Sequence, residues 1–92
     1  MDDQGQAEEQ GFIVEAQGPS GVFGVFEDDG ETGYLYIYEP EGPGIIQHLH
    51  IYDRSKLPTA IEETDVSVNW EGSKCSVAIQ GSHRGTIETK RG

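Results

Sequence analysis

His48-Leu49-His50 is the place in this 92-residue chain where residue type and spacing point to metal chemistry. On an extended strand, residues i and i+2 project from the same face, roughly 6–7 Å apart along the backbone. Two imidazoles so placed can share one Zn, Ni or Fe ion. A third ligand would have to come from elsewhere, with His83, Asp53 and Glu39 as candidates. The competing reading is a half-exposed sheet face on which His48 and His50 stack and hydrogen-bond beside tyrosines.

Those tyrosines precede the histidines. Tyr34, Tyr36 and Tyr38 alternate with Leu35 and Ile37, just as His48, His50 and Tyr52 alternate with Leu49 and Ile51. Successive strand residues point to opposite sides, so each run is aliphatic on one side and aromatic or imidazole on the other. If the two runs pair across Pro40 to Gly44, the tyrosine face adjoins Ile46, His48, His50 and Tyr52. A flat or concave aromatic surface with polar tips suits a protein partner or a small ligand. Otherwise it is the second side of a sandwich, covered by another sheet.

A second group of candidates lies in Glu27-Asp28-Asp29-Gly30-Glu31. A Ca²⁺ loop needs oxygen ligands at alternating positions, whereas Asp28 and Asp29 are adjacent and the loop is short. A solvated acidic turn is the simpler reading. An acidic tip in which Asp28, Asp29 and Glu31 engage a basic protein is the functional one. Cys75 alternates with Val77 and Ile79 and reads as a small hydrophobe rather than a nucleophile. No Cys-His-Asn spacing, nucleophile elbow, P-loop or dinucleotide fingerprint is present, so no catalytic constellation is assigned.

The elements that must position these groups are short strands. Phe12 to Ala16, Val22 to Glu27, Tyr34 to Glu39, Ile45 to Tyr52, Val66 to Trp70, Cys75 to Gln80 and His83 to Thr89 read as seven strands. Arg54 to Thr64 reads as an irregular crossover. Gly81-Ser82 reads as a two-residue turn, which would set Gln80 opposite His83, Val77 opposite Thr86 and Ser76 opposite Ile87. The expected fold is a single all-β domain over residues 11–89, an antiparallel sandwich or rolled sheet. An acidic tail over residues 1–10 and the basic end 90–92 are expected to be disordered.

Composition narrows the partners. The chain carries 17 carboxylates against six Lys and Arg, a formal charge of −11, and all six cations lie at or after Arg54. Such a surface repels phosphate backbones and anionic lipid, which excludes nucleic acid and membranes as partners. It suits a basic protein or a metal ion. A lone cysteine, no signal-peptide pattern and no long apolar stretch point to the cytoplasm.

The pattern Phe26-Glu-Asp-Asp-Gly-Glu-Thr-Gly-Tyr34, His50-Ile-Tyr52 and Trp70 followed by the Ile79-to-His83 hairpin resembles a small bacterial family known only as a domain of unknown function. The resemblance covers roughly residues 20 to 90 and implies a compact, mostly β bacterial domain without implying a mechanism. Gly42-x5-His48-x-His50 also copies the start of a cupin metal motif. The copy then departs from the pattern: Asp53 comes early, and Arg54 and Ser55 fill the next places. The resulting expectation is a non-enzymatic protein-binding module, of inhibitor or immunity type, using the Tyr/His face and the acidic loop. The alternative is a small metal-binding, cupin-like protein or enzyme centred on His48 and His50. Homodimerisation through an edge strand or the tyrosine face is a third expectation.

Overall fold

The computed structural model describes residues 11–89; the acidic tail and basic end named above lie outside them. The seven expected strands are all present: β1 (Phe12–Gln17), β2 (Phe23–Asp28), β3 (Thr32–Glu39), β4 (Gly44–Asp53), β5 (Val66–Glu71), β6 (Lys74–Ile79) and β7 (Ser82–Glu88). All pairings are antiparallel between consecutive strands, giving one sheet ordered β1-β2-β3-β4 and another ordered β5-β6-β7. Two consecutive meanders are not the double Greek key of a cupin jelly roll. The cupin-like architecture is therefore ruled out by strand order.

Residues 54 to 65 cross from one sheet to the other through two short 3-10 turns, Arg54–Lys56 and Glu63–Asp65. The sheets stack so that β1 lies against β5 and β4 against β7. Between them sit Phe26, Leu35, Ile37 and Tyr52 from the first sheet, Ile61 from the crossover, and Val66, Val68, Cys75, Val77, Ile79 and Ile87 from the second. Sheet faces normally stand about 10 Å apart. Two glycines lie where a side chain on the first sheet or its turn would collide with the second sheet. A Cβ on Gly24 would lie 2.2 Å from Cys75 Sγ, and one on Gly18 would lie 2.3 Å from the Trp70 ring. Trp70 closes the β1–β5 side by donating its indole N–H to the Ala16 carbonyl at 3.0 Å.

The β6–β7 hairpin differs from the expected register. Its turn residues are Gln80 and Gly81, both at positive φ (52° and 84°), and Ile79 pairs with Ser82. Two left-handed residues make the turn whose twist matches the flanking strands. A bulge at Arg84 then shifts the ladder, setting Ser76 opposite Thr86 and Cys75 opposite Ile87. That register sends Cys75, Val77, Ile79 and Ile87 inward, which the one-residue alternative would not do.

Candidate functional site

The two outer faces of the sandwich differ in kind. On the three-stranded sheet, alternation and register leave Ser67, Asn69, Glu71, Lys74, Ser76, Ala78, His83, Thr86 and Glu88 outward, a polar and charged set. On the four-stranded sheet the outward residues form three cross-strand rows. These are Ile13–Glu27–Tyr34–His50, Glu15–Val25–Tyr36–His48 and Gln17–Phe23–Tyr38–Ile45. The large hydrophobic side chains left exposed among the described residues all belong to this face: Ile13 at 49%, Tyr38 at 40% and Ile45 at 56%. Tyr34, Tyr36, Tyr38, His48 and His50 therefore share one surface, as the alternation implies.

Tyr52 does not join them. β4 carries two bulges. One leaves Ile46 without a cross-strand partner, so that Ile45 rather than Ile46 faces Tyr38. The other skips Ile51, so that Tyr52 pairs with Gly33. An extra residue reverses which face the following side chains occupy. Tyr52 is consequently buried, its ring 5.8 Å from that of Phe26 and lying over Gly33, where a Cβ would sit 2.6 Å from the phenol ring.

Asp28 is also corrected from a solvated acidic tip to a buried anchor. Its side chain is buried and accepts from the Tyr52 hydroxyl, from Gly30 N at 2.8 Å and from Arg54 Nε at 3.0 Å. A buried carboxylate is tolerated where charge and lone pairs are met in this way. The Asp28 bond and burial both push the Tyr52 phenol well above the usual tyrosine range, burial contributing most. Arg54, the first cation in the chain, is therefore committed to the fold.

The rest of the loop shapes the rim. Asp29 Oδ1 accepts from Glu31 N and Thr32 N, each at 2.9 Å, and its Oδ2 accepts from the Tyr34 hydroxyl at 2.9 Å. These bonds, the backbone ones first, hold the Asp29 carboxyl below the usual range, and the same contact raises the Tyr34 phenol. Glu31 stays exposed, and its carbonyl takes the Arg54 backbone N–H at 2.7 Å. Tyr36 donates to Glu27 Oε1 at 3.2 Å, and its phenol is raised by burial and then by Glu27.

Two of the metal candidates meet, but no three-ligand group forms among the described residues. His50 Nε2 meets Asp53 Oδ1 at 3.0 Å, His48 stands one row along beside Tyr36, and His83 is on the other sheet with Thr86 at 2.7 Å. No group of three or more His, Cys, Asp or Glu suited to a metal ion is found among the described residues. Cys75 is fully buried and burial pushes its thiol up to about 11, so it is no nucleophile at neutral pH.

Sequence reasoning missed the far half of the face. Ile13, Glu15, Phe23, Val25 and Glu27 enter only once β1 and β2 are paired onto β3. The signal was present, because extending one register across the Gln17-to-Gly21 turn would have aligned them. A hollow of about 370 Å³ opens on the β3–β4 side of this face, lined by Glu27, Tyr34, Tyr36, Ile45 and His48. Another, of about 330 Å³, lies among Ile13, Glu15, Phe23, Val25, Tyr36 and Tyr38.

Residues 6–91 match the family described as "Uncharacterized protein conserved in bacteria (DUF2251)". No curated protein and no solved structure matches the chain. No helix among the described residues is long and apolar enough to cross a membrane.

Proposed function

Since the chain belongs to this uncharacterised bacterial family, we propose from its geometry that it is a non-enzymatic protein-binding module whose contact surface is the outer face of the four-stranded sheet. One observation carries the reading. Among the described residues, the exposed large hydrophobics Ile13, Tyr38 and Ile45 all lie on that single face, while the opposite outer face is polar and charged. Apolar side chains scattered singly need no explanation, but a contiguous set on one face marks a contact surface. Tyrosines are enriched at such surfaces because they bury much area at little entropic cost.

The partner's charge follows from the strand order. β1 to β4 are drawn from residues 12–53, which contain no Lys or Arg, so this sheet has no cation of its own to meet Glu15 and Glu27. A basic protein fits, and a small acidic protein that covers a basic target fits an inhibitor or immunity role in the bacterial cytoplasm. The same charge argues against a second copy as occupant, because two chains of −11 would meet acidic face to acidic face.

Affinity capture from the native host tests this. Wild type is compared with Ile13→Glu/Tyr38→Glu and with Ser67→Glu, an exposed control on the other sheet. The expected result is a basic protein retained by wild type and the control and lost from the double variant. Equal retention by all three would refute the assignment of the face.

A further inference from the structure

The hollow between β2, β3 and β4 has the chemistry of a cation-binding subsite. We infer that it takes the guanidinium of an arginine side chain on the partner protein; this deepens the reading proposed above and rests on it.

Glu27 supplies the charge. It is half-buried in the row between Ile13 and Tyr34, and the Tyr36 hydroxyl donates to its Oε1 at 3.2 Å. A carboxylate has about four lone-pair positions, so this bond orients the group and leaves acceptor capacity facing the hollow. The described cations lie elsewhere. Arg54 is paired with Asp28, Lys56 lies 3.9 Å from Asp53, and Lys74 and Arg84 are on the other sheet. The negative charge at Glu27 therefore has no partner cation within its own sheet.

The walls choose among cations. Tyr34 and Tyr36 offer aromatic rings, Ile45 an apolar edge and His48 an imidazole, around about 370 Å³. A planar guanidinium stacks on such rings while its N–H fork meets a carboxylate, and it sheds water more readily than an ammonium. Lysine brings a compact, strongly hydrated charge and gains less here. Phosphate and carboxylate ligands are repelled by Glu27, with Asp29 beyond Tyr34 adding to the repulsion.

The test is an NMR titration of the whole chain with three capped tripeptides, Gly-Arg-Gly, Gly-Lys-Gly and Gly-citrulline-Gly. Citrulline keeps the planar shape and lacks the charge. The arginine peptide is expected to shift saturably the signals of Glu27, Tyr34, Tyr36, Ile45 and His48, with the lysine peptide several-fold weaker and the citrulline peptide inert. Glu27→Gln is expected to weaken the arginine peptide at least tenfold. Because Glu27 is half-buried, Ile45→Lys serves as a second variant at an exposed position, and its ammonium is expected to abolish the shifts. Shifts spread over all acidic loops, equal affinity for arginine and lysine, or unaltered binding by both variants would each overturn the proposal. If the peptides fail while Ile13→Glu/Tyr38→Glu still releases the captured partner, the contact face stands and only the arginine subsite falls.

Discussion

Asp28 and Glu27 are adjacent carboxylates with opposite duties. Strand alternation sends Glu27 outward to Tyr36 and Asp28 inward to Tyr52, Gly30 and Arg54. The inward one is energetically exposed to substitution. Asp28→Asn leaves the Arg54 guanidinium without its counter-charge, and removing one member of a fully buried pair costs about 3–5 kcal/mol. Arg54 keeps 27% of its side chain in solvent, so water offsets part of that and about 2–3 kcal/mol is expected. Tyr52→Phe removes one hydroxyl and leaves Asp28 satisfied by Arg54 and Gly30, at a cost of about 1.5 kcal/mol, the low end for a bond to a charged group. Urea denaturation of both variants checks the order. Equal losses, or an Asp28→Asn protein as stable as wild type, would contradict the anchoring role.

At the scale of elements, β2 is held against β5 and β6 through the absence of a side chain. Gly24 lies under Trp70 and Cys75, with the Cys75 sulfur where a Cβ would be. Glycine in a strand ordinarily weakens it, and one at a close approach of sheets is the exception. Gly24→Ala is expected to destabilise by about 1–3 kcal/mol through overpacking. Cys75→Ala opens space at the same point, so the double variant should recover at least about 1 kcal/mol relative to additive losses. Chemical denaturation of the four proteins in the cycle measures this coupling, and strict additivity would show that the sheets do not meet there. The bulges of β4 act on the same scale: they turn Ile46 and Tyr52 away from the tyrosine face and leave Ile45 on it. They also twist an edge strand that would otherwise offer a flat ladder to another chain.

The whole molecule is a charge-segregated sandwich. The four-stranded sheet comes from a segment without cations, whereas the positive residues all lie in the crossover, the three-stranded sheet or the end beyond it. A formal charge of −11 works against compactness through self-repulsion. Salt shortens the Debye length from about 30 Å at 0.01 M to about 10 Å at 0.1 M. The melting temperature is therefore expected to rise by a few degrees over that range. Scanning calorimetry at the two salt concentrations checks it. A melting temperature that falls with salt would mean that pairs such as Asp28–Arg54 and Asp53–Lys56 outweigh the general repulsion.

By itself the sequence determined the strand content, the antiparallel all-β class and the grouping of Tyr34, Tyr36, Tyr38, His48 and His50, while the choice of two stacked sheets over one rolled sheet came from the structure. A period of two is written directly into residue order, and hairpin turns are local. Tertiary structure alone decided that Tyr52 is core and that Asp28 is an anchor, whereas the place of Ile13, Glu15, Val25 and Glu27 on the face follows from the pairing of β1 and β2 onto β3. A bulge changes facing without changing composition. The reach of Arg54 to Asp28 spans 26 residues. Which strands of one sheet stack on which of the other, β1 on β5 and β4 on β7, is settled by burial summed over both sheets, a quantity that no short window of residues contains.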